Sequence, residues 1–238
     1  MRVRYKAWAL PEIEASPYVS MDPAEHKHNW SKFFENPDLP LSVELGTGLG
    51  RFISEIAETR PEYNYLGIDI ENLAVAHANR KITAKKLGNA RLLRFDISKI
   101  GEYFAEDEVS EIFINFPNPW PKRRQKKRRL THPRQLVQYR NFLKDGSEIW
   151  FKTDDTDLYE ASLKYFPHMG FEILAHTDNL ITEDKQDPRS IMTEYEERWR
   201  GKGIKIKAIQ VKKLAGDNAE FEKIAMAYKD SPKAEEYY

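Results

Sequence analysis

The chain has 238 residues, 40% of them hydrophobic and 32% charged, enough apolar material for one α/β domain with a full core and too much for wholesale disorder. Cysteine is absent, which excludes disulfides, thiolate-held zinc, iron–sulfur clusters and a thiol nucleophile, and the six histidines have no HExxH-like spacing, so no bound metal is expected. No apolar run approaches the roughly 20 residues that cross a bilayer. The N-terminus lacks the apolar stretch of a secretory signal, and 38 basic residues balance 38 acidic ones, so a cytoplasmic protein without a membrane segment is expected.

Residues 1–40 read as an irregular arm punctuated by Pro11, Pro17, Pro23, Pro37 and Pro40. From residue 41 short apolar runs alternate with longer amphipathic ones. Strands are predicted at Leu41–Leu45, Asn64–Asp69, Ala90–Phe95, Glu111–Phe116, Glu148–Thr153 and Phe171–His176. Helices are predicted between them at Arg51–Arg60, Asn72–Leu87, Ser98–Phe104, Pro133–Leu143 and Thr156–Phe166. Such alternation requires crossover connections and a parallel sheet covered on both faces. Residues 177–203 form a connection too long to be passive. Lys205–Val211, with Ile206, Ala208 and Val211 among lysines, is predicted as a last edge strand. The expected fold is therefore α/β, a doubly wound, mostly parallel, seven-stranded Rossmann-like sheet spanning 41–214 with helices on both faces. Residues 215–238 read as an acidic tail with one short helix.

The densest local signal is Glu44-Leu45-Gly46-Thr47-Gly48-Leu49-Gly50, between a strand and a helix. Glycines there allow a tight turn and close backbone approach to a ligand. A dinucleotide fingerprint would need a third glycine at 51, where this chain has arginine. An acidic residue two positions before GxGxG suits a ligand with an ammonium and no pyrophosphate, as in S-adenosylmethionine. Asp69 closes the next strand, where a carboxylate can accept both ribose hydroxyls or cap the following helix. Asp96 closes the third, where it can take the adenine amine beside Phe95 and Ile97 or cap a short helix. Three acidic residues at three successive strand ends make a cofactor pocket the expectation.

The fourth strand runs into Phe116-Pro117-Asn118-Pro119-Trp120-Pro121, a loop stiffened by three prolines. Trp120 can stack on a base or anchor the loop. Seven cations in eight residues follow, Lys122 to Arg129, a pattern that fits phosphate contacts better than a solvated face.

FPNPWPKRRQKKRRL, with FKTDD at 151–155, MTEYEERW at 192–199 and an MRVR start, resembles the bacterial tRNA (guanine-N7)-methyltransferases over about residues 1–213. The resemblance implies a Rossmann-like methyltransferase fold, S-adenosylmethionine as cofactor and a guanosine in the variable loop of tRNA as target. It implies that Glu44, Asp69, Asp96 and Asn118 line the cofactor, and that Lys122, Asp154, Thr193, Glu194, Tyr195 and Glu196 face the substrate. Relatives occur as monomers and dimers, which leaves a homodimer open. Position 118 is usually aspartate in these relatives and is asparagine here. The guanine N7 carries a lone pair and no proton, so transfer needs alignment more than a base. Asp154 and Glu196 are then candidates for electrostatic stabilisation of the cationic product, with Asn118 beside the reacting atoms. Against these roles stand a helix cap for Asp154 and a solvated loop charge for Glu196. Two alternatives stay open. Asn118-Pro119-Trp120 resembles the loop that accepts from an exocyclic amine in adenine or cytosine methyltransferases, and Asn118 also fits a noncatalytic RNA-binding module with a retained pocket.

Overall fold

The computed structural model describes residues 6–182, 184 and 187–230, so the MRVR start lies outside the described residues. In chain order the elements are α1 (Ala9–Glu14), β1 (Val19–Ser20), β2 (Leu41–Leu45), α2 (Arg51–Thr59), β3 (Asn64–Asp69), α3 (Asn72–Lys85), β4 (Ala90–Arg94) and β5 (Val109–Asn115). There follow α4 (Pro133–Phe142), β6 (Leu143–Thr153), α5 (Thr156–His168), β7 (Phe171–Thr177), α6 (Glu194–Arg200), β8 (Lys207–Lys213) and α7 (Asn218–Asp230), with short 3₁₀ turns in the connections. Among the described residues no helix is long and apolar enough to cross a membrane.

The strands form one sheet in the order β1-β4-β3-β2-β5-β6-β8-β7. All neighbours are parallel except β8, which runs antiparallel to β6 and β7. The sheet has eight strands where seven were expected, because Val19–Ser20 of the arm pairs with Leu92 and Leu93 of β4. The strand expected at the edge is an inner one. Ala208, Ile209 and Val211 of β8 are fully buried, and the edge falls to β7, whose Glu172, Leu174 and His176 alternate outward. Lysines at 205, 207, 212 and 213 made the run look solvent-facing, but Lys213 is itself buried, its ammonium donating to the Leu143 carbonyl at 2.6 Å.

Every residue of β2 is buried, as expected of a central parallel strand covered on both faces. One face carries α1, α2 and α3 over Phe52, Ile53, Ile56, Val75 and Ile82. The other carries α4, α5 and α7 over Leu136, Tyr139, Phe142, Phe166 and Tyr228. The arm and the tail are therefore parts of the core layers. Trp30 is fully buried, its indole N–H donating to the Tyr103 carbonyl at 2.9 Å. Arg140 of α4, also fully buried, donates to the Leu214 carbonyl at 3.1 Å and to Asn218 at 3.1 Å, and lies 3.8 Å from the Phe221 ring centre.

Candidate active site

Strand order reverses between β2, whose successor β3 lies on one side, and β5 on the other. The crevice outside the carboxyl ends of these strands is where open α/β sheets hold ligands. A cavity of about 1150 Å³ sits there, lined in part by Gly46, Gly48, Asp69, Asp96 and Asn118. Gly46 and Gly48 take left-handed φ values of 88° and 55°, which a side chain disfavours. Their loop is tied to the next strand: the Gly46 and Thr47 amides donate to the Ile68 carbonyl at 2.8 and 3.1 Å. Gly50 is a correction. It lies outside the cavity lining, and a side chain there would collide with Cα and Cβ of Ala78, so this glycine is needed for the approach of α2 to α3.

Asp69 accepts from the Gly48 amide at 2.9 Å and the Glu71 amide at 3.0 Å. It does not cap α3, whose N-cap is Glu71. Burial raises its carboxyl pKa, and the two amide donors oppose that rise. Asp96 does cap the 3₁₀ turn after β4, accepting from the Ser98 amide at 3.0 Å, and still lines the cavity between Phe95 and Ile97. Glu44 lies just behind the lining, 3% exposed. Its Oε1 accepts from Asn115 at 3.1 Å, its Oε2 is buried without a partner among the described residues, and burial pushes its pKa up to about 8. A buried carboxylate oxygen lacking a donor beside a cavity fits a cofactor carrying an ammonium, and the apolar Ile70, Phe95 and Ile97 beside Asp69 and Asp96 fit a nucleoside.

The proline-rich loop forms the opposite wall. Phe116 and Trp120 adopt left-handed φ values of 52° and 44°, each costing about 1–2 kcal/mol for a residue with a side chain. Three contacts hold that strain in place. The Phe116 amide donates to the Lys152 carbonyl at 2.8 Å, the Trp120 amide to Asn118 Oδ1 at 3.1 Å, and Arg129 Nε to the Pro119 carbonyl at 2.8 Å. Arg129 is fully buried and paired with Asp157, so the end of the basic run is a strut within the fold. Lys126 also reaches Asp157, at 3.3 Å. Lys122, Lys127 and Arg128 are exposed; the last two line the cavity and Lys122 stands outside it. Trp120 lines the cavity with the Arg128 guanidinium over its ring at 5.1 Å.

The long connection places α6 against this wall. Thr193 caps α6, accepting from the Glu196 amide at 3.0 Å. Tyr195 packs on Phe116 with ring centres 5.2 Å apart and donates its hydroxyl to Asp154 at 3.3 Å. Asp154 is not the cap of α5; that is Asp155, which accepts from the Leu158 amide at 2.7 Å. Glu194 pairs with Lys81, whose ammonium also donates to the Leu49 carbonyl at 2.7 Å, and Glu197 pairs with Arg51 at 2.8 Å. Glu196 departs from expectation. It is fully buried, with Oε2 accepting from Lys152 at 2.8 Å and Oε1 from Arg200 at 2.9 Å, so its carboxylate anchors the helix and does not face the cavity. Lys152, equally buried, also donates to the Ile191 carbonyl at 2.8 Å. Burial lowers its pKa and Glu196 opposes the drop. Sequence reading missed Lys152, Lys81 and Asn115. The one available signal was a lysine inside the otherwise apolar run Ile149–Phe151 and Thr153.

Fold and cavity together define a Rossmann-like methyltransferase. A 16S rRNA methyltransferase, KamB, superposes with a TM-score of 0.57 over 74% of this chain and 88% of its own, at 13% identity. An antibiotic-related methyltransferase gives 0.57 over 86% and 98%, at 18% identity. The family model described as "Putative methyltransferase" matches residues 38–209. The chain belongs to the tRNA (guanine-N7)-methyltransferase family: it is 45% identical to the protein of that name from Desulfitobacterium hafniense (strain Y51), over 87% of this chain and 94% of the relative. It is 46% identical to the one from Clostridium acetobutylicum over 87% and 97%.

Proposed function

We propose that this protein transfers a methyl group from S-adenosylmethionine to N7 of a guanosine in the variable loop of tRNA. The observation that carries the reading is the pairing of a crevice at the strand switch point, with one buried oxygen of Glu44 left without a donor behind it, and a strained loop that α6 locks from behind. The cofactor, when bound, supplies an electrophilic methyl group. The protein's part is to bind, align and shield. Glu44 and Asp69 hold the ammonium and the ribose, and Asp96 with Phe95 and Ile97 holds the base of the cofactor.

Because N7 needs no deprotonation, the chain has to fix the attack geometry and favour positive charge growing on the purine. Asp154, oriented by the Tyr195 hydroxyl, and the Asn118 amide are the groups assigned to that task. Glu196 and Lys152 act through them as positioning residues, by seating α6. The target base is drawn out of the tRNA fold to reach the loop, while Lys122, Lys127 and Arg128 hold phosphates.

A methyl-transfer assay on unmodified tRNA with mass-spectrometric nucleoside analysis tests the reading, and 7-methylguanosine is the expected product. N6-methyladenosine or N4-methylcytidine would favour the exocyclic-amine alternative; tight tRNA binding with no product would favour a binding module. Asp69→Ala is expected to weaken cofactor binding at least tenfold, about 1.4 kcal/mol, and calorimetry giving an unchanged dissociation constant would remove the pocket assignment.

A further inference from the structure

The cavity of about 1150 Å³ exceeds the range of about 300–1,000 Å³ that encloses a single small ligand. Besides glycine backbone, apolar side chains and the carboxyls of Asp69 and Asp96, its lining includes four cations, Lys99, Lys127, Arg128 and Arg134. These cations come from three separate elements: the 3₁₀ turn after β4, the basic run and the first turn of α4. Among the described residues none of the four is held by a carboxylate; the contact recorded for any of their charged groups is that of Arg128 with Trp120. Other cations of this chain are neutralised where they stand, as with Arg51, Arg60, Arg80, Lys85 and Arg189.

The elements that carry Lys99 and Arg134 are tied to each other. Gln138, one turn after Arg134, accepts from the Gly101 amide at 3.1 Å and donates to the Ser98 carbonyl at 3.2 Å. It thereby fixes the turn carrying Lys99 to the helix carrying Arg134. The first turn of α4 also holds no acidic residue, so Arg134 stands at the positive end of a helix where a carboxylate would be favoured. Four cations line one concavity against two carboxyls, Asp69 and Asp96, which leaves an excess of positive charge that an anion would relieve.

We propose that Lys99 and Arg134, with Lys127 and Arg128, form a phosphodiester subsite that grips the RNA strand next to the extruded base. The subsite rests on the tRNA reading above and extends the contact surface across the cavity from the basic run onto α4. It assigns a ligand class, successive backbone phosphates with about one for each cation, to two residues that the motifs did not single out.

The test compares the natural protein with Lys99→Ala/Arg134→Ala, each single variant, and Lys144→Ala/Lys164→Ala as an equal loss of charge at exposed positions elsewhere. Binding of one tRNA transcript is measured over a range of salt, and S-adenosylhomocysteine binding by calorimetry. The double variant is expected to lower the slope of log K against log salt by about 1.5–2 units, and each single variant by about half that. Cofactor-product affinity should stay within twofold, and the control should keep the natural slope. A double variant with the natural slope, or a control that loses as much, overturns the subsite. If inorganic pyrophosphate protects the natural protein against thermal unfolding but not the double variant, while the tRNA slope is unchanged, the site takes a free phosphate and the strand assignment is wrong. A natural protein that shows no salt-dependent tRNA binding would remove the tRNA reading and the subsite with it; a natural slope kept by the variants removes the subsite alone.

Discussion

At the scale of single residues, Glu44 links burial to a measurable pH dependence. Its carboxyl, pushed up to about 8 by burial, holds its proton through neutral pH in the ligand-free protein, whereas an ammonium partner requires the carboxylate. If Glu44 takes the ammonium as proposed, binding below about pH 8 is expected to release a proton. Cofactor affinity is expected to rise with pH by up to about tenfold per unit between roughly pH 6 and 8 and to level off above. Calorimetry in buffers of different ionisation enthalpy reads the released proton directly, and Glu44→Gln should abolish both effects; a pH-independent affinity in the natural protein would dissociate Glu44 from the ammonium. The sign for folding follows from the same shift. The folded pKa lies above the ordinary 4.5, so the contribution of the protonated group to ligand-free stability is present below about pH 4.5 and is lost as pH rises through about 8. Asn118 shows the reverse economy of function. Its oxygen accepts the Trp120 amide, a role asparagine and aspartate fill alike, so Asn118→Asp is expected to change single-turnover rates by no more than about tenfold, the equivalent of about 1.4 kcal/mol. Asp154→Asn, which removes the charge proposed to favour the cationic base, should lower them further. A silent natural protein awakened by Asn118→Asp would sink the alignment account and favour a decayed enzyme.

Among the elements, β2 and β3 were readable residue for residue, because a buried parallel strand followed by a glycine loop or an acidic terminus leaves little freedom in where it ends. That Asp69 and Asp96 stand at strand ends on the cavity was readable for the same reason. The position of β8 was not, since insertion between β6 and β7 depends on the order in which the chain returns to the sheet, a nonlocal property that alternation of Ile206, Ala208 and Val211 with lysine does not encode. Nor was the interior of α6. In the run Thr193-Glu194-Tyr195-Glu196 the two glutamates look equivalent, yet one is fully buried and the other pairs with Lys81 near the surface. What separates them is Lys152 on β6, 44 residues away in sequence. Breaking a buried pair from one side costs about 3–5 kcal/mol when the remaining charge is uncompensated, while replacing both partners by apolar groups is close to neutral; here Glu196 keeps the partly exposed Arg200 when Lys152 is removed. Lys152→Met is therefore expected to destabilise the protein by less than about 3 kcal/mol and to raise KM for tRNA more than it affects cofactor affinity. Lys152→Met/Glu196→Leu, which frees Arg200 towards solvent, should regain part of the stability in urea titrations and leave the tRNA defect in place. Equal recovery of both would make the pair a matter of stability alone.

For the whole molecule, the sequence distinguishes the catalytic layer from its surroundings less well than the structure does, because arm, tail and basic run each mix exposed and buried roles. Prolines made residues 1–40 look irregular, but prolines restrict backbone and do not prevent docking, and Trp30 is among the largest fully buried side chains. Acidic composition made the C-terminus look detached, yet Phe221 and Asn218 close over the buried Arg140. The basic run divides in the same way, and its division yields a test of the molecule's electrostatics. Arg129 is fully buried, its charge already met by Asp157 and its Nε holding the Pro119 carbonyl, so it offers nothing to a phosphate and much to the loop. Lys127 and Arg128 are exposed at the cavity and have no carboxylate partner among the described residues. Lys127→Ala/Arg128→Ala is expected to lower the slope of log K for tRNA against log salt by about 1.5–2 units, with the melting temperature nearly unchanged. Arg129→Ala should behave oppositely: the slope holds, because a neutralised cation releases no counterion, while melting falls by about 2–4 °C for each kcal/mol lost from the strut. An Arg129→Ala protein that melts normally but loses a full unit of slope would place that arginine on the RNA, and the loop strain at Phe116 and Trp120 would then need another support.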